Sequence, residues 1–314
     1  MDHASTAPAP HARYDALIAR ARQGRPAPAA VVHPCDVHAL ESALDAARLG
    51  LIAPVLVGPP AAIAAAARAA GLAIDALPVV PAADARGAAR RAVELARDGE
   101  VVALMKGSLH TDELMGAVVA SDGGLRGPRR LSHCFVMDVP GHDDPLIVTD
   151  AAVNIAPALA EKADIAQNAI DLAHALGIAE VRVAILSAVE TLNPKLPTTI
   201  EAAALCKMAE RGQITGALLD GPLALDNAIS PEAAVIKKLA GPVAGHANVL
   251  LAPNLEAGNL LAKSLTFLAG ADAAGIVLGA RVPVILTSRA DSVSARLASC
   301  AVAVLVAAHA CAEA

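Results

Sequence analysis

The sequence predicts an α/β fold built on a mainly parallel sheet. Three observations predict it. Short β-like runs alternate with longer helix-like segments along most of the chain. The 55% apolar content comes mostly from Ala, Val, Leu and Ile, and only Tyr14, Phe135 and Phe267 are aromatic. Aliphatic cores of that kind suit helices packed on a sheet buried on both faces. Several helix-like segments also open on a capping residue and close on glycine.

In chain order, residues 1 to 12 are rich in Ala, Pro and His and are expected to be disordered. Ala29–Val32 reads as the first strand, and Asp36 caps a helix closed by Gly50. Strand Pro54–Val57, an alanine-rich helix near 61 to 70 and strand Leu77–Val80 come next. Asp84 caps a helix closed by Gly99, and strand Val101–Leu104 follows it. The stretch from Leu131 to Thr149 has no helical pattern and turns at Pro140-Gly141. Its strands, Arg130–Met137 and Leu146–Thr149, read as a pair crossing between domains. After strand Val181–Leu186, Thr198-x-x-Glu201 reads as a capping box for a helix closed by Gly212. Strand Gly216–Leu219 precedes Ser230-Pro231-Glu232, which places proline at the first position of a helix running to Gly241. Strands Asn248–Leu251, Gly275–Leu278 and Val282–Leu286 complete the set, and a last helix runs to about Ala308.

With 314 residues the chain is long enough for two domains, each with its own core. A net charge of -6 and the scarcity of aromatics argue against nucleic acid as a partner. The five cysteines (35, 134, 206, 300, 311) are scattered without C-x-x-C, so neither a disulfide framework nor a zinc site is expected. The first 15 residues lack the apolar core of a signal peptide, and the apolar run near 297 to 308 is too short to span a bilayer. The expectation is a soluble protein of a reducing cytoplasm, with no membrane partner.

Several motif classes are absent. No two glycines are separated by one residue, so G-x-G-x-x-G cannot occur; G-x-x-x-x-G-K-[ST], H-E-x-x-H and G-x-S-x-G are missing too. The ten histidines show no metal-ligand spacing. What remains is a set of polar clusters where strand-like runs end: Lys106 to His110, Arg126 to His133, Thr149-Asp150 with Asn154, and Asn193 to Pro197. Asp220 to Pro222 with Asp226-Asn227, and Asn254 to Asn259, continue the series. Ligands of open α/β sheets bind beyond the carboxyl ends of the strands, so these clusters point to one site. The sharpest of them is the junction VPVILTSRADSVSAR, Val282 to Arg296. There an apolar strand stops at Thr287, and Ser288-Arg289-Ala290-Asp291-Ser292 leads into a helix. Unpaired N–H groups, a helix dipole, a hydroxyl and a guanidinium together suit an anion. A capped turn with a solvated arginine is the plain alternative.

The segments Glu190–Thr198 (ETLNPKLPT), Leu219–Ser230 (LDGPLALDNAIS), Pro253–Asn259 (PNLEAGN) and Thr287–Ser292 (TSRADS) resemble the phosphate acetyltransferase/phosphate butyryltransferase family. The resemblance covers nearly all of the chain after the first dozen residues. It is nearest to the transferase half of bifunctional proteins that begin with an enoyl-CoA hydratase, for which this chain has no room. It implies the two-domain α/β/α fold of the isocitrate and isopropylmalate dehydrogenase type, with an interdomain cleft. The first domain would take residues 1–147 and regain the C-terminal helix, 290–314. The second, 148–289, would provide dimerisation and the other wall of the cleft. The implied reaction is acyl-CoA plus phosphate giving acyl phosphate plus CoA, in a homodimer. CoA is a substrate, and no cofactor or metal is bound.

By that resemblance Ser288 and Arg289 match a catalytic pair, Ser288 hydrogen-bonding the reacting centre and Arg289 meeting phosphate or the developing oxyanion. Arg129, Arg130 and Lys106 are candidates for phosphate or CoA-phosphate contacts, since guanidinium in particular suits tetrahedral oxyanions. Surface charge is the alternative for each. Asn254, Gly258 and Asn259 match a loop facing the cleft. Two positions depart from the pattern. Ala295 stands where acetyl-specific members have the aspartate proposed as thiol base, and Met115 where they have a cleft arginine. Asp291 is the preferred replacement base, ahead of Glu256, although either could be a cap or a solvated charge. The TSRADS pattern is typical of butyryltransferases and of the hydratase-fused branch, so an acyl group longer than acetyl is an alternative. The two departures suggest a non-catalytic CoA-ligand sensor as another. A metal- and nicotinamide-dependent hydroxyacid dehydrogenase would need clustered aspartates that the sequence does not offer.

Overall fold

The computed structural model describes residues 12–142, 145–287 and 291–313. The chain runs α1 (Ala12–Ala21), β1 (Ala27–Val32), α2 (Val37–Arg48), β2 (Ile52–Gly58), α3 (Pro60–Ala69), β3 (Val79–Pro81), α4 (Ala85–Arg97), β4 (Ala103–Lys106) and α5 (Thr111–Val118). β5 (Ser132–Asp138) and β6 (Leu146–Thr149) follow, then α6 (Leu159–Ala175), β7 (Arg182–Leu186), α7 (Pro197–Glu210), β8 (Leu218–Leu223), α8 (Leu225–Ile229) and α9 (Pro231–Ile236). The remainder is β9 (Val249–Leu251), α10 (Leu255–Ala269), β10 (Asp272–Leu278), β11 (Val284–Ile285) and α11 (Val293–Glu313). Each strand read from the sequence has a counterpart within a few residues.

Packing gathers the chain into two compact units. The first comprises Tyr14–Leu131 and the chain from Ala274 onward. Its strand order is β3-β2-β1-β4-β11-β10. All of these neighbours are parallel except β10 and β11, which pair antiparallel at Ile276↔Ile285 and Val277↔Val284. The second unit comprises Arg13 and Ser132–Ala273, with order β5-β6-β9-β7-β8. There β5 and β6 are antiparallel, Cys134 facing Thr149, and the other pairs are parallel. The boundary expected at residue 147 lies inside β6.

The parallel strands are aliphatic because helices cover both faces. β6 and β9 are buried at every position, and Val31, Val32, Leu104, Val249 and Leu250 are fully inaccessible. Side-chain caps start the helices as expected at three places. Asp36 accepts from Ala39 N at 2.8 Å, Asp84 from Gly87 N at 2.7 Å and Ser230 from Ala233 N at 3.2 Å. The helix begun by Ser230 is shorter than expected, since Lys238 turns left-handed at φ 57° before Gly241 is reached. Thr198 is not a cap. Pro197 takes the first helical position of α7, so Thr198 already lies inside the helix, and Thr198 Oγ1 bonds Ser187 Oγ at 2.8 Å. Glu201 instead pairs with the buried Lys162 of α6, at 2.5 Å.

The last helix corrects an expectation. It passes Ala308, because His309 lies among alanines that sustain the helix to Glu313, and α11 is long and apolar enough to cross a membrane by length and composition. More than half of it is buried inside the protein. Ala298, Ala301, Val302 and Ala303 are fully inaccessible, and the helix packs on α2, β4 and β11 as a core element of the first unit.

Candidate functional site

In the first unit, the parallel strands β1, β4 and β11 end on one edge, and the turns after β1 and β4 are tied together. Gly107 N donates to Val32 O at 2.9 Å and Ser108 N to His33 O at 3.0 Å. Ser108 Oγ donates to His33 O at 2.7 Å and accepts from Cys35 N at 3.2 Å. Such closeness requires glycine at 107, where a Cβ would stand 2.4 Å from Val32 O. The turn after β1 then begins α2 at Asp36, and the turn after β4 presents Lys106.

Between these turns lies a recess of about 390 Å³, open to solvent and lined chiefly by Asp36, His38, Ser42, Lys106, Thr287 and Arg296. Arg296 lies in the first turn of α11, whose start is capped by Ser292 Oγ accepting from Ala295 N at 3.0 Å. Its Nη1 donates to Asp291 O at 2.8 Å, while its Nε is buried with no hydrogen-bond partner among the described residues. Ala295, where the sequence resemblance leads one to expect a thiol base, is 4% exposed and part of the core. Ser288 and Arg289 lie outside the described residues; Thr287 and Asp291 flank them. Asp291 is half-buried, with its carbonyl held by Arg296.

The second unit carries a different polar cluster. The Asp150 carboxylate, 2% exposed, accepts from Ala152 N, Val153 N and Asn154 N at 2.9, 3.0 and 3.1 Å and from Asn154 Nδ2. The turn so fixed seats the start of α10. Leu255 N donates to Ile155 O at 3.1 Å, and Asn259 Nδ2 to Ala151 O at 3.0 Å. Gly258 packs so close that a Cβ would lie 2.3 Å from Asp150 O. Asn254 caps the helix, accepting from Ala257 N at 2.9 Å. The side chains of Asn254 and Asn259 thus bond to backbone, and Glu256 is exposed.

Beneath this turn Thr149 Oγ1 donates to His133 O at 3.0 Å. His133 is buried against Phe135, its ring edge-on at 4.4 Å between centroids. Burial pushes its pKa down to about 4, the negative charge of Asp150 opposing the shift. In the same unit Glu190 receives Lys237 Nζ at 3.2 Å and Asn227 Nδ2 at 3.5 Å; its own backbone hydrogen bond first, and then the bond from Lys237, hold its carboxyl below the usual range. Gly221 lets β8 close on β7, a Cβ there standing 2.8 Å from that of Ile185.

Of the residues singled out in sequence, Lys106 joins the recess of the first unit, and Asn254, Gly258 and Asn259 gather round Asp150 in the second. Arg129, half-buried, and Arg130, exposed, lie in the segment preceding β5; Met115 is half-buried on α5. Arg296 was missed. Its signal was its spacing from Ser292, since a residue four positions after a helix cap returns to the face of the junction. All five cysteines are free thiols, and no group of His, Cys, Asp or Glu among the described residues could hold a metal ion.

A family model described as Phosphate acetyl/butaryl transferase matches residues 84–304. A Phosphate acetyltransferase of Rhizobium meliloti is 62% identical over 302 residues, 96% of either chain. The solved structure of a branched-chain phosphotransacylase from Enterococcus faecalis V583 matches with a TM-score of 0.79 at 29% identity, covering 90% of this chain and 99% of that one. A 4-hydroxythreonine-4-phosphate dehydrogenase from Klebsiella pneumoniae matches at TM-score 0.53 and 14% identity over 90% of this chain and 98% of its own, a likeness of fold. The expected dehydrogenase-like α/β architecture is therefore found.

Proposed function

The chain belongs to the phosphate acetyl/butyryl transferase family, and from that premise we propose that it catalyses reversible transfer of an acetyl group between CoA and inorganic phosphate. The observation that carries this reading is the 62% identity to a phosphate acetyltransferase over 96% of both chains. The cationic recess at the carboxyl ends of β1, β4 and β11 supports it, because two of the substrates are phosphate anions.

In the acyl-phosphate-consuming direction the CoA thiol gives up its proton, its sulfur bonds the acyl carbon, and the bond from that carbon to the phosphate oxygen breaks. The departing phosphate finally takes up the proton. Thiolate is the nucleophile, and Asp291, beside the pair, is the base that generates it. Ser288 hydrogen-bonds the reacting centre, and Arg289 meets the charge that grows on the carbonyl oxygen or the phosphate. Lys106, Arg129 and Arg130 contact phosphate groups of the substrates. Asn254, Gly258 and Asn259 shape the facing loop. Acyl phosphates and thioesters are already activated, so the chemistry asks for no metal and no bound cofactor.

The working form is a cytoplasmic homodimer. Leu260, Phe267 and Leu268 on α10 are 65, 76 and 86% exposed in the single chain, and an apolar stripe of that size suits a subunit interface. The apolar residues of α11 are spent in the core rather than on a membrane.

The test is CoA- and phosphate-dependent formation and cleavage of the thioester, followed by absorbance with acetyl, propionyl and butyryl substrates and no added metal. Acetyl turnover that requires phosphate is expected. A butyryl preference would transfer the reading to a phosphate butyryltransferase, and CoA binding without turnover on any substrate would overturn it in favour of a sensor.

A further inference from the structure

We infer that Arg296 is a substrate-binding residue and that the recess it shares with Lys106 is the phosphate pocket, taking inorganic phosphate or the phosphoryl end of the acyl phosphate. The inference rests on the reading above that phosphate is a substrate.

Charge is the first argument. Lys106 and Arg296 face a single carboxylate in the lining, Asp36, whose Oδ1 is committed to Ala39 N at the start of α2. Two helices of 12 and 21 residues, α2 and α11, also turn their first turns to the recess, adding the positive ends of their dipoles. Geometry is the second. Arg296 is anchored at one end, Nη1 to Asp291 O, so its guanidinium plane is held in place before any ligand arrives. Its Nε is buried without a partner among the described residues, and a charged donor so placed gains most from an anionic oxygen. A phosphate presents several acceptors in a tetrahedron, which a planar fork and a lysine can share. Position is the third, since Thr287, in the same lining, immediately precedes the serine-arginine pair proposed for the chemistry.

The competing role for Arg296 is mechanical, bracing Asp291 and nothing more. The full-length protein with Arg296→Gln separates the two. Binding predicts that the KM for inorganic phosphate rises about tenfold or more, as for loss of a charge-assisted hydrogen bond, while the KM for CoA moves less than about twofold. It also predicts that inorganic phosphate, which raises the Tm of the parent protein, no longer does so in the variant. An unchanged phosphate KM overturns the inference, and so does a joint rise of both KM values with a fall in Tm. His38→Glu leaves Arg296 in place and adds a carboxylate to the exposed rim. It too should raise the phosphate KM, and if Arg296→Gln does not fold, an unchanged phosphate KM in His38→Glu overturns the inference. Parent turnover with a normal phosphate KM in both variants would sink the pocket and leave the transferase standing. No parent turnover, with phosphate stabilisation lost in Arg296→Gln, would do the reverse.

Discussion

The two polar clusters of this chain are built on opposite plans. Around Asp150 in the second unit, four donors converge on one carboxylate, and the side chains of Asn254 and Asn259 each bond to backbone. Around Arg296 in the first unit, a guanidinium is anchored at Nη1 and left without a described partner at Nε, beside an open recess. A cluster that closes its own hydrogen bonds holds backbone in position; one that leaves a buried charged donor unmatched, on a side chain lining an open recess, is prepared for a ligand. The comparison breaks if the closed cluster proves to be where substrate affinity resides.

The largest expected effect falls on the closed cluster. Asp150→Ala removes a buried acceptor and orphans its donors, and should lower the unfolding free energy by about 4 kcal/mol, read as a lower midpoint in urea. A loss below about 1 kcal/mol would mean that the turn holds itself and that the carboxylate serves something else. Slightly smaller, and on catalysis instead of stability, is Arg289→Ala. If Arg289 is the oxyanion donor proposed above, its loss costs about 3 to 4 kcal/mol of barrier, so turnover should fall by a factor on the order of 10² to 10³ with the unfolding midpoint unchanged. Unchanged turnover would remove Arg289 from the mechanism.

How much of this was legible in the sequence differs between the clusters for a physical reason. The strands were readable because buried parallel strands are continuous aliphatic runs, as in Leu146–Thr149, and the junction after β11 because a strand end and a helix start leave local signatures. Their order was not. β9 lies between β6 and β7, and β11 between β4 and β10, through pairings that no local periodicity encodes. The Thr198 cap was misread because Pro197 fixes the helix start more firmly than a hydroxyl does. Asp150 and Arg296 stood in view as residues, but their roles depend on neighbours brought in by folding, such as Gly258, 108 positions from Asp150, and Lys106, 190 positions from Arg296.

His133 sharpens the comparison from inside the closed cluster. Its Nδ1 has no partner among the described residues, yet it is buried beneath the Asp150 turn and not beside an open recess. Burial depresses its pKa from 6.5 to about 4, so the ring is neutral in the folded protein at neutral pH. The unfolded chain then takes up a proton that the folded one refuses. Stability is full above pH 6.5 and is lost as pH falls towards 4, by up to about 3 kcal/mol. His133→Gln should flatten the unfolding free energy across that window, and an unaltered slope would assign the acid sensitivity elsewhere.

The smallest effect is the most discriminating. Asn254 caps α10 through its side-chain oxygen, and a carboxylate caps as well as an amide does. Asn254→Ala should therefore cost about 1 kcal/mol, and Asn254→Asp within a few tenths of nothing, by urea unfolding. Substrate kinetics of Asn254→Asp then read a different property, because the variant keeps the helix start and adds a negative charge to a loop proposed to take part in substrate binding. If the KM values for phosphate and CoA stay within about twofold, Asn254 is a cap and the closed cluster positions the fold without touching substrate. If either rises about tenfold while stability holds, the charge has met a substrate anion, and a residue whose hydrogen bond is already made is also part of the binding surface. The contrast between the two clusters would then be one of degree.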